Sequence, residues 1–212
     1  MADDLESRFW GNCCNTFVEE TKQFMYMRLM GFELKPIWRT THSFDMGGRS
    51  VIDIGGGPCS ILLKCENRGR SLVVDPAVWP EWVNARYTAT GIETFQGPGE
   101  ALLDAHFYPI ETSDFDLALI YNCLQHVDDP EKIVANACAA AKELRMFEWI
   151  NIPPHEGHPH ELKADLLEKW TGRQGRVVDL PECGGVAWVL GVPPAEPVPG
   201  ARKSRIVLGG GA

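Results

Sequence analysis

Three consecutive glycines directly after a short apolar segment constrain the fold of this chain more than any other feature. Residues 51–54 contain three apolar side chains and one acid, which predicts a buried central strand. Gly55, Gly56 and Gly57 allow a sharp turn in which the backbone can approach a bound molecule closely. Pro58 stands where a helix would begin, since its missing N–H is not needed there. The sequence predicts a strand, a binding turn with free N–H groups, and a helix.

A second strand is predicted over residues 71–75, and it ends in an acid. Asp75 lies 20 residues after Gly55, the spacing at which a carboxylate can accept hydrogen bonds from ribose hydroxyls. Pro76 ends this strand, and a helix over residues 58–67 would connect the two strands. The pattern predicts a β-α-β unit that binds a nucleoside-containing molecule. The alternative is that Asp75 only caps a turn.

A nicotinamide dinucleotide is one cofactor that such a unit binds. Its binding pattern, G-x-G-x-x-G, requires a third glycine, and this chain has Ser60 at that position. The chain also lacks a clear Tyr-x-x-x-Lys pair of the kind that oxidoreductases use. An NAD-linked oxidoreductase is therefore kept as an alternative function.

The glycine turn, with Asp53 two residues before Gly55, resembles the D-x-G-x-G signature of class I S-adenosylmethionine-dependent methyltransferases. Further segments resemble the same family, in the same order, over about residues 50–150. One position departs from the family pattern, because Cys59 stands where another glycine is common. The resemblance implies an enzyme that uses S-adenosyl-L-methionine as its cofactor.

The resemblance also implies a role for each matching residue. Asp53 would lie near the amino-acid end of the cofactor, Asp75 on the ribose and Glu100 near the adenine. Asn122, which follows the predicted fourth strand, would lie beside the sulfonium. The implied cofactor-binding residues are Asp53, Gly55, Gly56, Gly57, Asp75, Pro76, Glu100 and Asn122.

The fold implied by the resemblance is a single α/β domain of the Rossmann-like methyltransferase type, a mostly parallel seven-stranded sheet with helices on both faces. The third, fourth and fifth strands are predicted at residues 91–96, 114–120 and 144–152. Helices are predicted at residues 131–143 and 161–170. Strands that complete the sheet, at least one of them antiparallel, are predicted at residues 176–179, 186–190 and 204–208.

The N-terminal region, residues 1–49, is predicted to form a helical lid over the core, residues 50–212. Apolar side chains recur at three- and four-residue steps, which predicts amphipathic helix. The predicted stripe is Trp10, Cys14, Phe17, Val18, Thr21, Met25 and Leu29. Trp10 and Tyr26 are candidate substrate-binding residues of this lid, with simple packing as the alternative.

Three of the six histidines lie in one proline- and glycine-rich loop, predicted after the fifth strand. They are His155, His158 and His160, and His126 lies in the loop after the fourth strand. Because loops after parallel strands open at one edge of a sheet, these side chains are expected near the acceptor. His126 and His155 are the candidate general bases, and His158 and His160 are candidate substrate contacts. A metal site and purely local hydrogen bonds are the alternatives, and no metal ligand is assigned.

Charge and hydropathy narrow the class of partner. The formal net charge of −9 and the lack of a strong basic run mean that a nucleic-acid partner is not expected. No apolar run reaches membrane-spanning length, so we expect a cytoplasmic location and no membrane partner. The expected acceptor is an oxygen or nitrogen of a small molecule or glycan. A protein that binds S-adenosylmethionine without transferring its methyl group is a third possibility, and the oligomeric state is open.

Overall fold

The computed structural model describes residues 8–37, 41–106 and 110–192. Its α-helices are α1 (Cys13–Leu29), α2 (Glu81–Ala89), α3 (Pro130–Ala140) and α4 (Ala164–Thr171). Its strands are β1 (Leu34–Pro36), β2 (His42–Asp45), β3 (Val51–Ile54), β4 (Cys65–Glu66), β5 (Ser71–Asp75), β6 (Glu93–Gln96), β7 (Phe115–Tyr121), β8 (Ala141–Ile150), β9 (Arg176–Leu180) and β10 (Gly185–Leu190). None of the described helices is long and apolar enough to cross a membrane.

Seven strands form the main sheet, in the order β6-β5-β3-β7-β8-β10-β9. The neighbours from β6 to β8 pair in parallel, whereas β10 is antiparallel to both β8 and β9. Ile54 pairs with Val74 of β5 and with Ile120 of β7, so these three strands end at the same edge. This confirms the predicted α/β fold, including its antiparallel strand. The predicted strand at residues 204–208 lies outside the described residues.

Helices cover both faces of this sheet, because alternate residues of each strand point to opposite sides. One core packs α1 and α2 against the sheet and includes Met27, Met30, Val83, Val51, Leu117, Leu119 and Phe147. The other packs α3 and α4 and includes Ile133, Val134, Leu167, Ile52, Ala118, Ile120 and Met146. The helix α1 therefore belongs to one of the two cores of the sheet.

The helix predicted at residues 58–67 was wrong. Two short 3₁₀ helices, Gly57–Cys59 and Ile61–Lys64, replace it, and β4 follows directly. The break falls at Ser60, whose backbone is extended (φ −44°, ψ 144°) and whose hydroxyl accepts a hydrogen bond from the Leu62 N–H. The strand β4 then pairs with β2 in a separate three-stranded sheet, in the order β1-β2-β4.

The apolar stripe predicted on the N-terminal helix was also wrong at its centre. Phe17 is 72% exposed and Val18 is 48% exposed. Among the described side chains of α1, those of Glu19, Gln23, Tyr26 and Met27 are buried, as is Met30 directly after the helix. The helix is rotated in this way because its polar residues face a cavity at the edge of the main sheet, described below.

Candidate functional site

A small cavity of about 30 Å³ lies at the edge where β3 and β7 end. The sheet side of its lining consists of Gly55, Gly56, Tyr121 and Asn122, and the N-terminal side consists of Trp10, Glu19, Gln23 and Tyr26. The structure thus brings together five residues that the sequence singled out, namely Trp10, Tyr26, Gly55, Gly56 and Asn122. The sequence reasoning missed Glu19 and Gln23, since polar residues on a helix are normally read as its solvent face. It also missed Tyr121, the last residue of β7.

The glycine turn after β3 has a backbone that other residues rarely adopt. Gly55 has φ +78° and Gly57 has φ +61°. A Cβ placed on Gly55 would lie 2.7 Å from the Cys123 Sγ, which is a steric clash. A Cβ on Gly57 would lie 3.6 Å from the Trp10 Cζ2, so the indole covers this part of the turn. The turn therefore requires glycine both for its dihedral angles and for its close neighbours.

Asp75, at the end of β5, holds this turn in place. Its Oδ2 accepts a hydrogen bond from the Gly57 N–H at 3.0 Å, and its Oδ1 accepts one from the Ala77 N–H at 3.0 Å. The Gly55 N–H donates to the Val74 carbonyl at 2.8 Å. The N–H groups of Gly55 and Gly57, expected to be free, are thus engaged. The role of Asp75 on the ribose stays a prediction. The neighbouring Pro76 is exposed.

Asp53 lies beneath the turn and is fully buried. Its Oδ2 accepts hydrogen bonds from the hydroxyls of Ser60 and Tyr121, the latter at 2.7 Å. Burial raises the pKa of Asp53 to about 7, and the hydrogen bonds from Ser60 and Tyr121 act in the opposite direction. This carboxyl group supports the turn from within the core, and its contact with the cofactor stays a prediction.

Two tyrosines hold the segment that was expected to be helical. The Tyr87 hydroxyl donates to the Gly57 carbonyl at 2.5 Å and accepts from the Ser60 N–H at 2.9 Å. The Tyr121 hydroxyl accepts from the Ile61 N–H at 3.0 Å. These buried bonds satisfy backbone groups that an α-helix would have satisfied internally. No sequence signal identified either tyrosine, because both come from distant elements.

Glu100 lies in a short 3₁₀ helix, Gly99–Ala101, after β6. Its Oε1 accepts hydrogen bonds from the N–H groups of Asp128 at 3.2 Å and Asp129 at 3.1 Å. Asp129 in turn caps α3 through the Lys132 N–H. Glu100 therefore fixes the loop between β7 and α3, and its role beside adenine stays a prediction.

The turn after β7 depends on a buried acid that the sequence reasoning missed. Asn122 has φ +49° and donates its N–H to the Phe147 carbonyl at 2.9 Å. Glu148 Oε1 accepts from the N–H groups of Cys123 at 3.2 Å and Leu124 at 3.3 Å. Burial raises the pKa of Glu148 to about 8, against the effect of these two hydrogen bonds. The available signal was a single acid within the apolar end of β8.

Three of the four candidate histidines form a cluster. The ring centroids of His126 and His158 are 4.3 Å apart, and those of His155 and His158 are also 4.3 Å apart. His160 bonds separately to the Val127 carbonyl at 2.7 Å. Burial, followed by the neighbouring His126 and His155, lowers the pKa of His158 to about 4. In the part of the chain that the structure describes, no three His, Cys, Asp or Glu residues are arranged to hold a metal ion.

A family model described as a methyltransferase domain matches residues 52–143. Residues 52–143 are therefore similar to a methyltransferase domain. The match begins in β3 and ends in β8, so it includes the glycine turn, Asp75, Glu100 and the histidine-bearing loop after β7. It confirms the resemblance read from the residues and favours S-adenosylmethionine over a nicotinamide dinucleotide as the cofactor. No curated protein matches the sequence of this chain.

Several solved structures are similar to this chain at low identity. The N-methyltransferase NodS from Bradyrhizobium japonicum, solved in complex with S-adenosyl-L-homocysteine, is 12% identical with a TM-score of 0.55, over 89% of this chain and 96% of that one. A methyltransferase from Aquifex aeolicus is 17% identical with a TM-score of 0.48, over 67% and 81%. One from Thermotoga maritima is 18% identical with a TM-score of 0.45, over 71% of this chain. The match spans 62% of the Thermotoga protein, which is less than two thirds of its length.

The residues of the site fit S-adenosylmethionine. The glycine turn would admit a ligand close to the backbone, Asp75 would offer a carboxylate to the ribose, and the cavity lining is aromatic and polar. The cavity has a volume of about 30 Å³, which is about the volume that one water molecule occupies in the liquid. It is therefore much too small for a nucleoside. Binding of the whole cofactor therefore requires this cavity to open.

Proposed function

We propose that this protein transfers the methyl group of S-adenosyl-L-methionine to an oxygen or nitrogen of a small-molecule or sugar-type acceptor. The observation that carries the proposal is the cavity shared by the glycine turn and α1. Its position at the carboxyl ends of parallel strands is where ligands bind in sheets of this class. The family match supports the reaction type, and the cavity supports the proposed position of the site.

We assign the cofactor contacts to the residues that the sequence predicted. Asp75 would bind the ribose, Glu100 would lie on the adenine side, Asp53 on the amino-acid side and Asn122 near the sulfonium. The backbone of Gly55, Gly56 and Gly57, together with Pro76, would form the surface on which the cofactor lies. When bound, the cofactor supplies an electrophilic methyl group. NodS, which shares the fold, was solved with S-adenosyl-L-homocysteine, and we propose that this chain binds the same molecule.

The acceptor would be held mainly by residues outside the glycine turn. Trp10 and Tyr26 line the cavity from the N-terminal side, and His158 and His160 would contact the acceptor from the loop after β8. Alignment of the acceptor lone pair is the main requirement for methyl transfer. A base is needed only when the acceptor must lose a proton, and we propose His126 and His155 for that role.

A small acceptor is favoured over a macromolecule by two observations. The helix α1 covers the cavity from one side and is tied to the turn, because the Gln23 Nε2 donates to the Cys59 carbonyl at 2.9 Å. The chain carries a formal charge of −9, which disfavours binding to nucleic acid.

Calorimetric binding of S-adenosylmethionine, S-adenosylhomocysteine and NAD to the purified protein tests the cofactor assignment. We expect the first two to bind and NAD not to bind. Formation of S-adenosylhomocysteine is then measured with a panel of amines, alcohols and sugars. Binding of NAD alone would instead favour the alternative of an NAD-linked oxidoreductase. Cofactor binding without turnover of any acceptor class would favour a non-catalytic binding protein.

A further inference from the structure

The cavity contains one charged side chain, and no role has yet been assigned to it. Glu19 projects from α1 and is 7% exposed. The other seven lining residues are neutral, namely Trp10, Gln23, Tyr26, Gly55, Gly56, Tyr121 and Asn122. Because a buried carboxylate is costly without a partner, the partners of Glu19 indicate what it can bind.

The two carboxylate oxygens of Glu19 have different surroundings. Oε1 lies 2.5 Å from the Lys22 Nζ, one turn further along the helix. Oε2 accepts only a long hydrogen bond, 3.4 Å, from the Tyr26 hydroxyl. The Lys22 side chain is 35% exposed, so its ammonium group can turn towards solvent. Glu19 can therefore accept a stronger donor without leaving a buried charge unpaired.

The walls around Glu19 favour a cation. Trp10, Tyr26 and Tyr121 contribute aromatic rings to the same small volume. A carboxylate attracts an ammonium group by charge, and aromatic faces attract it through their quadrupole. The Gln23 amide is already used, because its Nε2 bonds to the Cys59 carbonyl and its Oε1 accepts from Lys64. Glu19 is the group in this lining that can neutralise a positive charge.

The second acid near the turn is less suited to this task. Asp53 is fully buried and is not among the residues that line the cavity, although its Oδ1 has no hydrogen-bond partner among the described residues. Asp53 supports the turn from below, whereas Glu19 faces Gly55 and Gly56 across the cavity.

We propose that Glu19, with the rings of Trp10, Tyr26 and Tyr121, binds the α-ammonium group at the amino-acid end of S-adenosylmethionine. The inference rests on the proposed function and extends it to a contact made by the N-terminal helix. The cavity also touches Asn122, beside which the sulfonium end of the cofactor is expected, so the amino-acid end falls within reach of α1. An ammonium group on the acceptor is the other source of the same chemistry.

The test compares two ligands that differ in the amino-acid end. S-adenosylhomocysteine carries the α-ammonium, and 5′-methylthioadenosine lacks it while keeping the nucleoside and the sulfur. Glu19→Gln keeps the size of the side chain and removes its charge. We expect about a tenfold or greater loss of affinity for S-adenosylhomocysteine, the scale of a charge-assisted hydrogen bond. The affinity for 5′-methylthioadenosine should stay within about twofold of wild type.

Glu20→Gln is the matched control, since Glu20 is the next residue and pairs with Lys64 and Arg86 outside the cavity. It should leave both affinities unchanged. Tyr26→Phe removes the hydroxyl that contacts Glu19 and should lower only the affinity for S-adenosylhomocysteine, by less than Glu19→Gln. This second variant keeps the test decisive if Glu19→Gln does not fold.

Each remaining outcome contradicts the assignment in a different way. Unchanged affinity of Glu19→Gln for S-adenosylhomocysteine overturns it, and a raised KM for an amine acceptor would then place the subsite on the acceptor. Equal losses for both ligands mean that Glu19 only supports the site as a whole, which also overturns it. If wild-type protein binds neither ligand, the proposed function fails as well.

Discussion

Glu148→Gln tests whether the buried acid beneath the turn after β7 is protonated in the folded protein. Burial raises the pKa of Glu148 from 4.5 to about 8, so the folded state binds a proton there that the unfolded chain releases above pH 4.5. The stability that this proton contributes is fully present below pH 4.5 and is lost as the pH rises to about 8. Glutamine does not titrate, and its amide oxygen can still accept from Cys123 and Leu124.

The size of the effect follows from the width of this window. Within it, the free energy of unfolding of the wild type should fall by about 1.4 kcal/mol per pH unit on account of Glu148 alone. Between about pH 5.5 and about pH 7.5, the wild type should therefore lose about 3 kcal/mol relative to Glu148→Gln. All other side chains are the same in both proteins, so the difference between the two isolates Glu148.

The assay is urea unfolding of both proteins at several pH values across this range. Glu111→Gln, at an exposed position, is the matched control and should follow the wild type at every pH. A constant difference between wild type and Glu148→Gln from about pH 5.5 to about pH 7.5 would refute the reasoning, because it would mean that the folded and unfolded states ionise alike.

Three further predictions concern the glycine turn. Asp75→Ala should abolish measurable calorimetric binding of S-adenosylhomocysteine. Asp75→Asn can still accept a hydrogen bond from the Gly57 N–H, so it should keep the fold and lose only part of the affinity. Full affinity in the alanine variant would contradict the ribose assignment. Gly55→Ala should lower the free energy of unfolding by about 1–3 kcal/mol more than Gly91→Ala does. Both positions have positive φ, but only a Cβ on Gly55 would also meet a neighbouring side chain. Equal losses of unfolding free energy in urea would argue against the clash. Tyr87→Phe should cost about 1–3 kcal/mol of unfolding free energy by leaving two buried backbone groups without their partner, and an unchanged urea midpoint would exclude this supporting role.

The parallel sheet and the position of the glycine turn could be predicted because their signals are local. Apolar runs of strand length and three adjacent glycines need no distant partner to be recognised. The segment after the turn could not be predicted in this way. Its shape depends on hydroxyls of Tyr87 and Tyr121, which lie 30 and 60 residues from the backbone groups that they bind.

The orientation of α1 was missed for a related reason. Its apolar pattern placed Phe17 and Val18 inwards, yet the structure buries Glu19 and Gln23 instead. Polar residues on a helix are buried when the opposing surface supplies partners, and here the Cys59 carbonyl and the cavity do so. Local rules fail most often at sites that bind ligands, and this helix lines the candidate site.

The placement of β10 affects how the sheet can assemble while the chain is being synthesised. Each of β5, β6, β7 and β8 can pair with an earlier strand of the main sheet as it leaves the ribosome. In the described sheet β9 pairs with β10 alone, and β10 is inserted between β8 and β9. A nascent chain that ends before Gly185 would therefore leave β9 without a sheet partner and the β8 edge uncovered, an arrangement that invites pairing with other chains. Assembly of the described sheet therefore has to wait for the hairpin of β9 and β10.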